Sequence, residues 1–224
     1  MKYRHELKYI INKNQAEILK ERLKLVMDVD NYSIYPDNTY LIRSLYFDDL
    51  YSSSYYEKLD GVLYRKKYRI RIYNKDDKFI RLECKYKHNN MTSKEQAIID
   101  KDTCMKLIDG NYEIETSDKL VNRFIIEAKT NHLVPSVIVD YKRLAYTYPL
   151  SKVRITFDSK IKSGKYNYNL FDHLSSFYSV IEDDLVVLEV KFNEVLPIHI
   201  AYILETIPSI RQAVSKYALC REVK

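Results

Sequence analysis

The sequence predicts an α+β protein built on a mainly antiparallel β-sheet or barrel of about eight strands with peripheral helices. Segments of alternating apolar and polar residues dominate the 224-residue chain. Two of these segments flank a short polar turn, which is typical of antiparallel hairpins. No Pro/Gly/Ser-rich linker interrupts the sequence, so residues 1–224 are expected to form a single domain.

The strands follow from the alternation, because successive side chains of a strand point to opposite faces of its sheet. The predicted strands cover residues 2–11, 40–47, 62–74, 78–88, 93–99, 134–147, 152–158 and 185–193. Residues 74–78 read Asn-Lys-Asp-Asp-Lys and form the polar turn of the predicted hairpin.

Helical signals are fewer and combine a capping residue with apolar residues at helical spacing. The predicted helices are 15–26 behind Asn14, 101–108 behind Asp100, 118–129 behind Ser117, and 198–206. Leu120, Phe124 and Ile125 share one side of the third helix, which is the pattern of a helix packed on a sheet.

Composition excludes several classes of protein. Only three glycines occur, so neither glycine-rich nucleotide-binding motif is present and any phosphate must be held by side chains. Three scattered cysteines suggest neither a disulfide framework nor a zinc site. The charged amino terminus and the absence of an apolar run of about 20 residues predict no signal peptide and no membrane span, so a cytoplasmic location is expected.

The 37 Lys and Arg against 31 Asp and Glu leave a net charge of +6, which indicates a polyanionic partner only where the cations cluster. They do cluster. Alternation places Arg65, Lys67, Arg69 and Arg71 on one face without an acid, whereas an ordinary wet sheet face mixes signs. At about 8 Å and an effective dielectric of about 20, each like-charged pair costs about 2 kcal/mol. Such a face is stable only in bulk water or against bound anions.

Neighbouring predicted strands carry charge on one face as well. These charged faces hold Arg4, Glu6 and Lys8; Arg81, Glu83, Lys85 and Lys87; Lys152, Arg154 and Asp158; Glu189 and Lys191; and Arg143 beside Tyr141. If the sheet closes with these faces inside, its interior is an anion tunnel suited to polyphosphate groups and a divalent cation.

Eight short motifs on these elements are similar to those of one family. They are Arg4-His-Glu-Leu-Lys-Tyr9, Ser44-Leu-Tyr-Phe-Asp48, Lys67-Tyr-Arg-Ile-Arg71, Leu82-Glu-Cys-Lys85, Val139-Asp-Tyr-Lys-Arg143, Val153-Arg-Ile-Thr-Phe-Asp158, Leu188-Glu-Val-Lys191 and Ser215-Lys-Tyr217. In this order they resemble the VTC domain, the polyphosphate polymerase domain of the vacuolar transporter chaperone, which belongs to the triphosphate tunnel metalloenzyme superfamily. The resemblance covers nearly the whole chain.

The resemblance implies an ATP-dependent enzyme that adds the terminal phosphate of a nucleoside triphosphate to inorganic polyphosphate, using Mn²⁺ or Mg²⁺. Its partners are then ATP and polyphosphate. By position in the motifs, the catalytic cations are Lys8, Arg69, Arg71, Lys85, Arg143 and Arg154; the further substrate contacts are Lys94, Tyr141, Lys191, Ser215 and Lys216; and the metal ligand is Glu189.

Two departures keep alternatives open. Arg4 stands where tunnel triphosphatases carry the first acid of an E-x-E-x-K motif, which argues against triphosphate hydrolysis as the main activity. Ala213 stands where polymerase members tend to carry a lysine. The alternatives are a tunnel triphosphatase and a non-catalytic module that binds polyphosphate or nucleotides. Nucleic acid is not an expected partner, because the cations lie within strands.

Overall fold

The computed structural model of the protein describes residues 3–34, 36–89, 91–173 and 177–223. The strands in these ranges are β1 (Arg4–Asn12), β2 (Asp28–Val29), β3 (Tyr40–Asp48), β4 (Tyr64–Tyr73), β5 (Asp76–His88), β6 (Met91–Ile99), β7 (Val134–Tyr148), β8 (Val153–Gly164), β9 (Tyr178–Ser179) and β10 (Leu185–Phe192). The helices are α1 (Lys13–Leu23), α2 (Ser53–Leu59), α3 (Lys101–Ile108), α4 (Lys119–Asn131), α5 (Ile198–Glu205) and α6 (Lys216–Arg221).

Eight of these strands close into an antiparallel barrel in the order β7-β3-β4-β5-β6-β1-β10-β8, with β8 pairing back onto β7. The short strands β2 and β9 extend the pairing outside the ring, on β7 and β8. The predicted α+β class and the barrel of about eight antiparallel strands are confirmed. The first predicted strand included residue 2, which lies outside the described residues.

The barrel has its shortest strand pairing between β1 and β6, where the described residues pair at Arg4–Thr92 and His5–Met91. Farther along β1, the segment that leads into α6 takes the place of β6. The backbone N–H of Gln212 donates to the carbonyl of Lys8 at 2.9 Å, and Arg211 bridges to Tyr9. The chain close to its carboxyl end therefore completes the wall.

Helices cover the apolar outer faces of the barrel, as the sequence predicts. One outer core forms where α3 and α4 pack on β4 and β5, with Phe124, Ile70 and Cys84 fully buried. A second forms where α1 and α5 pack on β8 and β10, around Leu19 and Ile155. Cys84 is a free, buried thiol of the first of these cores.

Several predicted element boundaries are wrong by a few residues. The first helix begins behind Asn12 and not Asn14, because Asn12 and Gln15 form a reciprocal capping box at 2.9 and 3.0 Å. The cap of α4 is Asp118 and not Ser117, since the Asp118 carboxylate accepts two backbone N–H bonds. The predicted five-residue turn is the two-residue turn Asn74–Lys75, with φ angles of 52° and 59° as tight hairpins require.

The helices α2 and α6 escaped sequence analysis, and α6 is not peripheral. Its residues Tyr217 and Cys220 pack on the inward-facing side chains of the barrel, among them Val139 and Ile161. Lys216 at its start reaches the cavity described below. Across the described part of the chain, none of the helices has the length and apolar character needed to cross a membrane.

Candidate active site

The barrel encloses a cavity of about 490 Å³ whose lining is strongly basic. Its basic residues are Lys8, Lys58, Arg65, Lys67, Arg69, Arg71, Lys85, Lys87, Arg143, Lys191, Arg211 and Lys216. Glu6 and Glu189 are the acidic residues of the same lining. The lining holds twelve cations and two carboxylates, and two further carboxylates, Glu83 and Asp158, lie directly behind it. The cations still outnumber the acids, which favours a bound polyanion.

Strand β4 supplies four of these cations through its alternation. Arg65, Lys67, Arg69 and Arg71 point inward. Tyr68, Ile70 and Ile72 alternate with them and belong to the outer core beneath α3 and α4. The apolar face fixes the register of β4, and a one-residue slip would turn the cations out of the cavity.

Arg69 and Arg71 are held in fixed orientations by neighbouring strands. Arg69 donates to Glu83 Oε2 at 2.7 Å and to the Tyr46 hydroxyl at 2.7 Å. Arg71 donates to Ser44 Oγ at 3.0 Å and to the Tyr141 hydroxyl at 3.3 Å. Both guanidinium groups keep further N–H donors for a ligand, since each carries five.

Glu83 is a fully buried counter-ion behind the two arginines. Lys94 Nζ contacts its Oε1 at 2.6 Å. Burial by itself raises the pKa of Glu83, but Arg69, Arg71 and Lys94 together hold that pKa well below its ordinary value. The carboxylate is therefore ionised, and it orients Arg69.

Glu6 and Glu189 form an acidic pair on β1 and β10. Lys8 Nζ lies 3.1 Å from Glu6 Oε1 and 3.3 Å from Glu189 Oε1. Lys85 Nζ contacts both oxygens of Glu6 at 2.8 Å, and Lys191 Nζ lies 2.5 Å from Glu189 Oε2. Although burial and Glu189 raise the pKa of Glu6, Lys85 and Lys8 lower it to about 2.

A second ion-pair group joins β7, β8 and α6. Arg143 contacts the Asp158 carboxylate in a bidentate manner, at 2.6 and 2.8 Å. Lys216 Nζ lies 2.6 Å from the same carboxylate. Ser215 caps α6 by accepting the Ala218 N–H at 3.3 Å, which places Lys216 at the first position of the helix. Sequence motifs far apart in the chain thus meet at the cavity wall.

Ten of the twelve predicted site residues line the cavity: Lys8, Arg69, Arg71, Lys85, Tyr141, Arg143, Glu189, Lys191, Ser215 and Lys216. The other two do not. Lys94 lies behind Glu83, and Arg154 forms an ion pair with Asp30 and donates to the Tyr40 hydroxyl at 3.0 Å. Direct phosphate contact by Lys94 and Arg154 stays a prediction.

The motif-based site assignment missed other lining residues, among them Lys58, Arg65, Lys67, Lys87, Arg211, Tyr46 and Glu6. Alternation along β4 and β5 carries the signal for Arg65, Lys67 and Lys87, which share faces with assigned residues. Lys58 lies on the short helix α2 and Arg211 in an irregular segment, where no periodicity places a side chain.

A divalent metal ion is compatible with the carboxylates present. Within the described residues there is no group of three or more His, Cys, Asp or Glu side chains placed to hold a metal. Mg²⁺ and ions like it are nevertheless held by one or two carboxylates together with substrate phosphates and water. Glu6 and Glu189, which share Lys8, offer two such hard oxygen donors facing the cavity.

A closed antiparallel barrel with a polybasic interior is the triphosphate tunnel fold. The chain belongs to the VTC domain family, whose sequence profile matches residues 3–223. No curated protein sequence matches the chain. Tunnel-fold proteins are generally enzymes and generally use divalent metal ions.

Solved structures share the fold at low sequence identity. A candidate adenylate cyclase from Bacillus halodurans is 13% identical, with a TM-score of 0.51 over 92% of this chain and 89% of its own. The PH1819 protein of Pyrococcus horikoshii is 11% identical, with a TM-score of 0.47 over 96% and 97%. A candidate adenylate cyclase from Vibrio parahaemolyticus is 12% identical, with a TM-score of 0.47 over 92% and 84%. At 13% identity the Bacillus similarity shows the fold alone.

Proposed function

We propose that the chain is an ATP-dependent polyphosphate polymerase. A terminal oxygen of a polyphosphate chain attacks the γ-phosphorus of ATP, the bond from that phosphorus to the bridging oxygen breaks, and ADP leaves. The chain grows by one phosphate. Membership of the VTC domain family and the polybasic cavity support this proposal.

The observation that carries the proposal is the placement of Arg69 and Arg71 side by side within the enclosed cavity. Phosphoryl transfer needs positioning and neutralisation of the equatorial oxygens more than covalent chemistry from the protein. Hydroxyl and carboxylate partners hold both guanidinium groups before substrate arrives. Such preorganised donors stabilise the charge that develops in the transition state.

The remaining lining residues surround the same space and are proposed to grip the other phosphates: Lys8, Lys85, Tyr141, Arg143, Lys191, Ser215 and Lys216. Lys94 supports Arg69 through Glu83, and Arg154 contributes charge from beyond the lining. The arginines present planar forks that match phosphate oxygens, whereas the lysines act as point charges.

Glu189, together with Glu6, would hold Mn²⁺ or Mg²⁺. When bound, the ion supplies further neutralisation of the phosphate oxygens. The two glutamates accept from Lys8, Lys85 and Lys191 and keep these ammonium groups in place at the cavity wall. Glu189→Gln keeps an oxygen acceptor for Lys191 but removes the negative charge, and it is expected to weaken metal-dependent turnover.

The experiment incubates the purified chain with ATP, a polyphosphate primer and MnCl₂ and resolves the products by gel electrophoresis. Long phosphate chains are expected. Orthophosphate as the main product despite primer would favour the tunnel triphosphatase, and binding without turnover would favour the non-catalytic module. Either result, beside an active control enzyme, would contradict the polymerase.

The site assignment is tested with Arg71→Ala, which should lower turnover by about 10²- to 10³-fold, as removal of one oxyanion donor does. Arg81→Ala is the matched control, because Arg81 pairs with Arg71 across the strands but contacts Tyr73 and Phe79 instead of the cavity. Arg69→Ala is less suitable, since Arg69 contacts the buried Glu83 at 2.7 Å, whereas Arg71 lies 3.9 Å from that carboxylate. Full activity of Arg71→Ala would contradict the assignment of Arg71 to the active site.

A further inference from the structure

A second cavity lies on the outer side of the barrel wall, where β4 begins and β5 ends. Its volume is about 390 Å³, which is within the range of small-molecule sites. Residues of β3, β4, β5, α2 and α4 line this cavity, which we call the rim pocket; among them are Phe47, Tyr64, Tyr68, Tyr86, His88 and Glu127. None of these six side chains lines the barrel cavity.

Two residues connect the rim pocket with the barrel cavity. Arg65 and Lys87 form a cross-strand pair of β4 and β5 and line both spaces. The adjacent pair, Tyr64 and His88, lines the rim pocket, because successive side chains of a strand point to opposite faces. The two spaces therefore adjoin at the ends of these strands. A ligand of the barrel cavity can reach the rim pocket past Arg65 and Lys87.

An exposed aromatic ring stands at this junction. The rings of Tyr64 and His88 are stacked, with centroids 4.2 Å apart and an interplanar angle of 19°. Tyr64 is nevertheless 68% exposed, so the face of its ring turned away from His88 is accessible. Aromatic side chains of this kind bind nucleobases by stacking, whatever the base, since every base has a π-face.

The rest of the rim pocket combines an aromatic wall with a few polar groups. Phe47, Tyr68 and Tyr86 supply the wall and belong to or pack against the outer core under α4. Glu127 contributes a carboxylate, which contacts Lys66 Nζ at 2.6 Å, and Asn131 contributes an amide. An apolar or aromatic lining with a small number of polar groups is typical of sites for organic ligands, and purely inorganic anions do not need it.

The distance along β4 matches the length of a nucleotide. Five residues separate Tyr64 from Arg69, which is about 17 Å along an antiparallel strand. A nucleoside triphosphate with its terminal phosphate at Arg69 can extend its other phosphates past Lys67 and Arg65 and bring its base to Tyr64. A bare tripolyphosphate held at Arg69 is too short to reach that ring.

We propose that the rim pocket binds the base of the nucleoside triphosphate, and that Tyr64 is the stacking residue that sets the preference for a nucleotide over bare tripolyphosphate. The inference rests on the proposed function and deepens it, since it assigns the organic end of the substrate to a space outside the barrel cavity. The phosphates stay with the cations already described.

The first experiment measures, by calorimetry without added metal, the dissociation constants of ATP and of tripolyphosphate. The ratio of the two constants is the readout. Tyr64→Ala should weaken ATP binding by about tenfold, as the loss of one stacking ring does, and leave tripolyphosphate binding unchanged. Tyr64→Phe should keep the wild-type ratio, because it retains the ring.

The matched control is Tyr51→Ala. Tyr51 precedes α2 and is 85% exposed, but it is not among the described residues that line the rim pocket. This variant should keep the wild-type constants for both ligands. A loss of ATP affinity as large as that of Tyr64→Ala would contradict the assignment of the base to Tyr64.

The second experiment uses the absence of tryptophan from the sequence. Tyr64→Trp introduces a single tryptophan at the proposed stacking position, and Tyr51→Trp places one outside it. ATP should quench the tryptophan fluorescence of Tyr64→Trp, whereas tripolyphosphate should not. Neither ligand should change the fluorescence of Tyr51→Trp.

An unchanged ratio of dissociation constants in Tyr64→Ala would overturn the nucleobase site, and so would an equal loss for both ligands. Equal quenching of Tyr64→Trp by ATP and tripolyphosphate would overturn it as well, since the signal would then come from the phosphates. Failure of the wild-type chain to bind either ligand would instead contradict the proposed polymerase. The two failures are thus distinguishable.

Discussion

At the scale of single residues, buried carboxylates behind the cations fix the orientation of the arginines that line the cavity. Glu83 and Asp158 are fully buried, and each contacts an arginine and a lysine. Buried ion pairs contribute little net stability, because desolvation offsets their attraction. Their effect here is geometric: a guanidinium fixed on one edge presents its other edge to the ligand.

Lys67 should make the stability of the ligand-free chain depend on pH. Burial lowers its pKa to about 7 in the folded state, whereas the pKa of a lysine in the unfolded state is about 10.4. Between these two pKa values the unfolded state binds more protons than the folded state. The contribution of Lys67 to the free energy of unfolding therefore rises with pH across this window. Below pH 7 Lys67 is protonated in both states, and the full cost of burying its ammonium group lowers the free energy of unfolding.

Lys67→Met should consequently be more stable than the wild type at pH 6, and the difference should shrink as the pH approaches 9.5 or above. Urea unfolding at several pH values measures this difference. Lys66→Ala provides the comparison, because Lys66 is the neighbouring lysine on β4 and its side chain is exposed. A parallel pH dependence of the wild type and Lys67→Met would show that Lys67 stays protonated in the folded chain.

At the scale of elements, the long strands were predictable and the short helices were not. Charged residues alternate with apolar or aromatic ones over residues 67–72 of β4 and 80–87 of β5, so both the strand and its inward face follow from the sequence. Helices α2 and α6 have 7 and 6 residues, too few for a helical period to emerge. Their positions depend on contacts with distant residues.

Asp48 shows such a distant contact. Its carboxylate accepts the backbone N–H groups of Ser54 at 2.9 Å and Tyr55 at 3.2 Å, and also the Tyr217 hydroxyl. Ser52, the residue directly before α2, makes no side-chain cap and has a φ of 58°. One residue at the end of β3 therefore fixes both α2 and α6 beside the cavity.

Asp48→Ala should lower the free energy of unfolding by about 3 kcal/mol, because it removes a helix cap and leaves a buried hydroxyl without its acceptor. Amide exchange at Ser54 and Tyr55 should accelerate more than exchange in β4. Asp49→Ala is the control, since among the described residues Asp49 accepts the amides of the nearby Tyr51 and Ser53, and its loss should cost about 1 kcal/mol. Equal effects of the two substitutions would refute the linking role of Asp48.

At the scale of the whole molecule, alternation predicts which face of each strand is charged, but only barrel closure shows which charges meet. Arg154 alternates like Arg69, yet its partner is Asp30, a residue without a strand signal. Closure also buries charge on the outside of the barrel. Arg43 is 1% exposed and donates to Asp140 at 2.8 Å and to the carbonyls of Leu170 and Asp172.

Arg43→Ala should destabilise the chain by about 3–5 kcal/mol, because it leaves the buried Asp140 without its ion-pair partner and frees the connection that contains Leu170. Urea unfolding measures the loss. Adding Asp140→Asn to the same chain should recover part of it, since the uncompensated charge is then gone. If the double variant is no more stable than Arg43→Ala, the penalty comes from lost packing and not from the charge.

The excess of cations in the barrel should couple the stability of the whole fold to phosphate anions. A ligand that binds only the folded state raises the free energy of unfolding by about 2.7 kcal/mol at one hundred times its dissociation constant. Tripolyphosphate at that concentration should therefore raise the melting temperature of the wild type and of Lys66→Ala equally. Arg71→Ala should show a smaller rise at the same concentration, because it lacks one of the two central guanidinium groups. An equal rise in all three chains would place the bound anion outside the barrel, since Arg71 reaches only the cavity side of the wall.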